Sequence, residues 1–175
     1  MRQKVIIAVG LLLIVGLGVF FWQKQKAGPS ETTAKGDLML IETDHGNIEI
    51  EFFPNDAPNT VARIRELVKS GFYDGLTFHR VVEGFVVQGG DPKGTGVGGS
   101  GQRLKAEFNG QKHVEGTVAM ARAQDPDSAD SQFYISLGTH PHLDGNYTVF
   151  GKVTTGMDAV KKIKVGDKMK KVSLK

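Results

Sequence analysis

The pattern of hydrophobic and polar positions divides the chain into three parts. Residues 5–22 form an unbroken run of apolar residues and glycine, close to the ~20 residues that a helix needs to span a bilayer. Residues 23–36 are polar and show no apolar periodicity, which is typical of a linker. Short apolar stretches then alternate with glycine-rich turns. We therefore predict a transmembrane segment at 1–22, a linker at 23–36 and one domain at 37–175.

Within the domain, the pattern predicts many short strands and two helices. Residues 38–53 alternate apolar and polar positions around a turn at 44–47, which indicates a hairpin. Apolar residues at helical spacing between Asp56, the expected N-cap, and Gly71, the expected C′ residue, predict a helix, and a shorter one is predicted at 156–164. Because strands dominate without a repeated strand–helix alternation, we expect a mainly β barrel or sandwich. The other predicted strands are 77–82, 85–89, 116–120, 132–136, 147–153 and 169–174.

The N-terminal apolar run has two interpretations. A cleaved signal peptide would end in a small-x-small site. Here the run ends in three aromatic residues, 20–22, and the nearest alanine, Ala27, has Gln25 two places before it. We therefore favour an uncleaved signal-anchor and a single-pass membrane protein. The flanking charges are nearly balanced, so they orient the segment only weakly. We expect the domain to lie outside the cytoplasm.

The net charge of +3 belongs to the N-terminal region. Residues 1–36 hold five basic side chains and one acidic side chain, so residues 37–175 hold 17 basic and 18 acidic ones. A domain of this balance has no overall positive field, and we expect no nucleic-acid partner. The chain contains no cysteine, which excludes disulfides, thiolate catalysis and cysteine-based metal sites.

Several possible motifs lack the context that their chemistry requires. The glycine-rich segment 94–99 fits a dinucleotide fingerprint by spacing, but no helical run follows it. The acidic segment 125–130 lacks the glycine and the final glutamate of a calcium-binding EF-hand loop. None of the five histidines has metal-ligand spacing. We therefore expect neither a metal nor a cofactor, and we interpret the lysine-rich segment 161–175 as a solvated face, with contact to anionic lipid as the alternative.

Five motifs occur in order along the domain, and together they resemble the cyclophilin-type peptidyl-prolyl cis–trans isomerases, specifically the compact bacterial kind. The resemblance covers about 37–175. It implies a closed eight-stranded antiparallel β-barrel capped by two α-helices, and an enzyme that accelerates rotation about X–Pro bonds without a covalent step. The motifs are Phe78-His79-Arg80, Gly84-Phe85 with Gln88-Gly89-Gly90-Asp91, Met120-Ala121-Arg122-Ala123, Ser131-Gln132-Phe133-Tyr134-Ile135, and Leu143-Asp144-Gly145 followed by Val149-Phe150-Gly151.

The resemblance also implies which residues form the site. Arg80 matches the catalytic arginine, which would stabilise the twisted amide. Phe85 matches a residue of the pocket for the substrate proline ring, and Gln88 matches the glutamine that lines the active site. The best-known eukaryotic members have tryptophan where this chain has His142, and histidine where it has Tyr147, so weak cyclosporin binding is expected. The residues expected to contact the substrate are Val86, Gly94, Ala121, Arg122, Ala123, Gln132, Tyr134, His142, Leu143 and Tyr147.

The expected partners are proline-containing polypeptides that fold outside the cytoplasm, and we expect the protein to be a monomer. Two other functions remain open from the sequence. The domain could hold proline-containing segments with little turnover, as a binding module, or act as a chaperone in which isomerisation is secondary. The substitutions at His142 and Tyr147 are the only sequence features that favour a pure binding role.

Overall fold

The computed structural model describes residues 38–175, so the predicted transmembrane segment and linker lie outside the described residues. In 38–175 no helix is both long and apolar enough to cross a membrane. The predicted helices are present as α1, Pro58–Lys69, and a single turn, α2, Met157–Val160. The strands are β1 Leu38–Thr43, β2 Gly46–Phe52, β3 Arg80–Val82, β4 Val86–Gly89, β5 Thr117–Met120, β6 Phe133–Ser136, β7 Val149–Thr155 and β8 Lys171–Leu174.

The eight strands form one antiparallel sheet that curves into a half-barrel, in the order β3-β4-β6-β5-β7-β2-β1-β8. The prediction of a mainly β fold with two helices is confirmed, but the ladder is not closed, since β3 and β8 are its edges. The backbone of a turn at residues 164–167 bonds to the residues before β3. The Phe78 N–H donates to the Asp167 carbonyl at 2.8 Å, and a single bridge pairs Thr77 with Lys168.

The larger apolar cluster lies inside the half-barrel. Strand residues that alternate toward this interior are fully buried, among them Ile41 on β1, Ile50 on β2 and Ile135 on β6. Helix α1 adds Ile64 and Leu67 to the same cluster and packs against β8. This burial of apolar side chains supplies the main stabilisation of the domain.

The sequence predicted the N-cap of α1 wrongly and the C-terminal end of α1 correctly. Asp56 is not the N-cap: Ala57 holds that position and provides no side-chain cap. Instead, the distant Glu107 carboxylate accepts from the backbone N–H groups of Asn59 at 3.0 Å and Thr60 at 2.8 Å, which satisfies free donors of the first turn.

The C-terminal prediction for α1 is confirmed. Gly71 follows the C-cap with a φ of 72°, a left-handed conformation that glycine adopts without steric cost. The Phe72 N–H donates to the Leu67 carbonyl and the Gly71 N–H to the Val68 carbonyl, each at 3.0 Å, which is the pattern of a Schellman motif.

A second, smaller apolar cluster lies on the outer face of the sheet. Its buried members are Val86, Ala119, Tyr134, Leu143 and Val149. Successive side chains of a strand point to opposite faces. The strands that fill the interior therefore also supply this outer cluster.

Candidate active site

Strand pairing brings the predicted site residues together on the outer face. Arg80 on β3 pairs with Gln88 on β4, and Gln88 in turn pairs with Tyr134 on β6. Residues directly opposite on paired antiparallel strands share one face of the sheet. The three side chains therefore lie in a row, although they are far apart in the sequence.

Nine of the thirteen predicted site residues line one cavity of about 200 Å³. Its wall is apolar where Phe85, Val86 and Leu143 face it, and polar at the side of Arg80 and Gln88. The other lining residues are Ala121, Arg122, Tyr134 and Tyr147.

The remaining four predicted residues surround this cavity. Ala123 and Gln132 line an adjoining cavity of about 340 Å³, together with the loop 96–99. The His142 ring stacks on Phe85, with ring centroids 6.0 Å apart and planes at 16°. Gly94 lies in the loop that follows β4, with a φ of 65°.

A chain of hydrogen bonds runs from the arginine into the adjoining loop. The Arg80 Nη1 donates to Gln88 Oε1 at 3.2 Å, and Gln88 Nε2 donates to Gln132 Oε1 at 3.0 Å. Gln132 Nε2 then donates to the Gly98 carbonyl at 2.8 Å. The Arg80 guanidinium also lies 5.8 Å from the centroid of the Phe85 ring. The arginine is thus held at the junction of the polar and apolar walls.

The loop at the end of this chain is organised by Asp91. Its carboxylate accepts from the backbone N–H groups of Lys93 at 2.8 Å, Thr95 at 2.9 Å and Gly96 at 2.6 Å. Burial alone would raise the pKa of Asp91, but these bonds outweigh burial and lower it to about 2. A permanently charged carboxylate therefore fixes the loop near neutral pH.

The side chain of Arg122 has a role that the sequence did not indicate. The resemblance implied only that Arg122 contacts the substrate. In the structure Nε and Nη2 donate to the Asn146 carbonyl at 3.1 and 3.0 Å, and Nη1 donates to the carbonyls of Ala123 and Gln124. The guanidinium also lies 4.8 Å from the centroid of the Tyr147 ring. Arg122 therefore joins the segment that would meet substrate to the loop that carries Tyr147.

A buried histidine also supports the cavity, and sequence reasoning assigned it no role. The side chain of His113 is fully buried, and its Nε2 lies 2.9 Å from the Tyr134 hydroxyl. Its Nδ1 lies 3.1 Å from Asp144 Oδ1. Asp144 belongs to the Leu143-Asp144-Gly145 motif, which was the one available signal for this contact.

Residues 38–175 match the family described as cyclophilin type peptidyl-prolyl cis-trans isomerase/CLD. The chain belongs to this family. Peptidyl-prolyl cis-trans isomerases from Helicobacter pylori and Bacillus subtilis are each 49% identical to it, over 78% and 79% of this chain and 86% and 96% of theirs. A probable peptidyl-prolyl cis-trans isomerase of Brucella abortus is 40% identical and covers 96% of this chain and 89% of its own.

Solved structures agree with this assignment. A cyclophilin-type peptidyl-prolyl cis-trans isomerase of Cryptosporidium parvum matches with a TM-score of 0.74 and 29% identity, over 79% of this chain and 97% of its own. The same Cryptosporidium protein has been solved in the presence of the dipeptide Ala-Pro. The protein is therefore an isomerase of the cyclophilin family, and the row Arg80, Gln88, Tyr134 lies in its candidate active site.

Proposed function

We propose that the cyclophilin domain isomerises X–Pro bonds by holding the proline ring in the apolar cavity while Arg80 stabilises the twisted amide. The observation that carries this proposal is the position of the guanidinium at the edge of that cavity. An apolar ring and a polar amide are joined in one substrate unit. A site with one apolar wall and one fixed cation matches both parts.

The chemistry of rotation explains why no nucleophile is needed. A planar peptide bond resists rotation with a barrier of ~18–20 kcal/mol because resonance must be broken. In the twisted state the prolyl nitrogen regains its lone pair and the amide loses charge separation. An apolar surrounding favours this less polar state, and a donor that bonds the nitrogen or the adjacent carbonyl is most effective as the lone pair appears.

Arg80 has the properties that this role requires. A guanidinium is always charged and presents five N–H donors in a rigid fork. Its bond to Gln88 is the one hydrogen bond that it makes within 38–175, so most of its donors are available to a substrate. The Gln88 bond and the Phe85 ring restrict where the fork can point.

Replacing Arg80 tests the proposal directly. We expect Arg80→Ala to lower kcat/KM on an X–Pro peptide about 100-fold, since ~3 kcal/mol of transition-state stabilisation is lost. Arg80→Lys keeps the charge without the fork and should recover only part of the rate. Lys152→Ala removes a cation at an exposed position of β7 and serves as the control.

NMR exchange spectroscopy on the peptide is the assay, because it separates turnover from binding. An enzyme accelerates cis–trans interconversion, whereas a binding module only shifts peptide resonances. Equal kcat/KM for Arg80→Ala and the wild-type protein, with both folded, would exclude the proposed role of Arg80. Peak shifts without acceleration in the wild-type protein would favour the binding module.

We further propose that residues 1–22 anchor the domain in the membrane and that it acts on proline-containing polypeptides outside the cytoplasm. The unbroken apolar run supports this, and the Brucella match, covering 96% of this chain, includes part of that run. Protease added to cells with an intact cytoplasmic membrane and opened outer layers should degrade the domain and spare a cytoplasmic protein. Protection of the domain until that membrane is lysed would contradict the proposed location.

Weak cyclosporin binding and a monomeric state stay predictions. The stacking of His142 on Phe85 supports the first, because it keeps a flat ring at the cavity edge that is smaller than the tryptophan of the best-known members. A smaller ring buries less apolar area against an apolar ligand, and the hydrophobic gain is roughly proportional to that area.

A further inference from the structure

His113, Asp144 and Tyr134 form a hydrogen-bonded chain that ends at the wall of the proposed proline cavity, with His113 fully buried and Asp144 partly exposed. Asp144 Oδ1 accepts from the His113 backbone N–H at 2.8 Å and lies 3.1 Å from His113 Nδ1. On the other side of the imidazole, Nε2 lies 2.9 Å from the Tyr134 hydroxyl. The Tyr134 ring itself lines the cavity.

The position of each proton follows from the partners. The backbone N–H of His113 is the main cause that lowers the pKa of Asp144 to about 2, so Asp144 is a carboxylate at neutral pH. A carboxylate can only accept, so Nδ1 carries the imidazole hydrogen. Burial lowers the pKa of His113, which keeps the ring neutral near pH 7. Nε2 is then an acceptor, and the Tyr134 hydroxyl donates to it.

This arrangement turns the hydroxyl of Tyr134 away from the cavity. Its partner, Nε2, belongs to a fully buried side chain, so the O–H points into the protein. Burial raises the pKa of Tyr134, and the phenol therefore stays protonated. The ring is held further by the edge-on Tyr147, whose centroid is 5.7 Å away. The cavity thus meets the carbon face of the ring.

We propose that His113 is a positioning residue of this isomerase: in its neutral form it holds the Tyr134 hydroxyl out of the proline cavity, and protonation of His113 releases that hydroxyl and slows catalysis. The proposal rests on the assignment of this cavity to the proline ring. It adds a residue and a pH dependence that the resemblance did not imply.

Protonation acts through the direction of one hydrogen bond. An imidazolium donates from both nitrogens, so Nε2 can no longer accept from Tyr134. The hydroxyl hydrogen then needs another acceptor, and an unsatisfied buried donor is costly. Rotation of the hydroxyl, or of the whole ring, relieves this cost and brings a polar group to the wall of the cavity. A polar wall favours the planar amide over the twisted one.

Other groups near His113 titrate or carry charge, and the test must separate them. His140 and His142 both lower the pKa of His113 through their charge, and His142 lies at the cavity edge. Besides its two partners, Tyr134 and Asp144, the charged and titratable groups that face His113 or those partners are Lys112, Arg122, His140, His142 and Tyr147.

The first experiment measures kcat/KM on an uncharged X–Pro peptide between about pH 8 and about pH 5, across the range in which histidine titrates. We expect the wild-type rate to fall toward the acidic end of this range, with a midpoint below 6.5, because the pKa of His113 is lowered from that value. Tyr134→Phe has no hydroxyl to release, so its rate should be nearly flat with pH. The comparison uses the ratio of rates at the two ends of the range, whatever the absolute rate of the variant.

His142→Asn and His140→Asn are the matched controls and should keep the acidic fall in rate. A wild-type profile without the fall, or an equal fall in Tyr134→Phe, would overturn the proposal. A fall that disappears in His142→Asn would assign the titration to the cavity edge and would also overturn it.

A second measurement needs no variant. Long-range proton–nitrogen NMR spectra of the wild-type domain should show His113 protonated on Nδ1 alone at neutral pH, and doubly protonated as the rate falls. A hydrogen on Nε2 at neutral pH would contradict the proposed chain. This readout does not depend on Arg80. A failure of Arg80→Ala to lose activity would therefore refute the catalytic assignment and leave the tautomer test intact.

Discussion

The two faces of strands β4 and β6 differ in what their side chains contact. The inner face presents Val87, Phe133 and Ile135 to the main apolar cluster, and none of the three is more than 1% exposed. The outer face presents Gln88 and Tyr134, which line the cavity and carry hydrogen bonds. Because side chains alternate along a strand, one pair of strands carries both the packing of the fold and the row of the active site.

The difference shows what each face requires of its neighbours. Apolar side chains of the inner face need only contact, which any well-filled interior provides. Each polar group that is partly buried on the outer face needs a specific partner, since leaving it unsatisfied costs ~1–3 kcal/mol. Gln88, Gln132 and Tyr134 all have one, whereas the buried Ser136 hydroxyl on the same face of β6 has none among the described residues. The positions of Gln88, Gln132 and Tyr134 are therefore determined by specific partners.

Truncating the inner face should give the largest effect on stability. The Phe133 ring meets Tyr73 edge-on at 5.7 Å and Phe150 edge-on at 6.4 Å. We expect Phe133→Ala to lower the free energy of unfolding by ~3–5 kcal/mol, because it leaves a cavity in this cluster. Urea unfolding measures the loss.

Activity is the second half of this prediction. Below its unfolding transition, Phe133→Ala should keep a kcat/KM close to the wild-type value, since the outer face is left in place. A large loss of kcat/KM in a variant that is shown to be folded would mean that the two faces are coupled. Ile135→Val, which removes one methylene on the same face, should lower the free energy of unfolding by only ~0.5–1.5 kcal/mol.

The pattern of the sequence predicted the strands and α1, and the family resemblance predicted the residues that line the cavity. Alternation and turn residues indicated every strand and α1, and Gly71 was identified correctly as the end of that helix. The family resemblance supplied all nine residues that line the first cavity. These features succeed because they depend on neighbours in the chain or on a pattern shared by a family.

The features that the sequence did not predict are contacts between residues that lie far apart along the chain. Glu107 caps α1 from 47 residues away, where the local pattern predicted Asp56. The ladder is open between β3 and β8, and the turn at 164–167 bonds to the residues before β3, which the strand pattern alone could not indicate. The Arg122 side chain reaches a carbonyl 24 residues further along the chain. Hydropathy has no signal for a hydrogen bond of this kind, since the fold must exist before the partners meet.

Truncating a side chain of the outer face should lower activity instead of stability, and this effect should be smaller than that of truncating the inner face. Gln88 joins Arg80 to Gln132, and its removal frees the guanidinium and leaves the Gln132 carbonyl oxygen without this donor. We expect Gln88→Ala to lower kcat/KM about tenfold, equivalent to ~1.4 kcal/mol of transition-state stabilisation.

The matched control for Gln88→Ala is Val87→Ala, one residue earlier on the same strand and on the inner face. It should reverse the pattern, with a loss in the free energy of unfolding and little change in kcat/KM. Rates of peptide isomerisation and urea unfolding, measured for both variants, test this reversal. If Gln88→Ala lowers the free energy of unfolding as much as Val87→Ala does, the polar row also holds the fold together. In that case the alternation of side chains along the strand would not separate folding stability from catalysis.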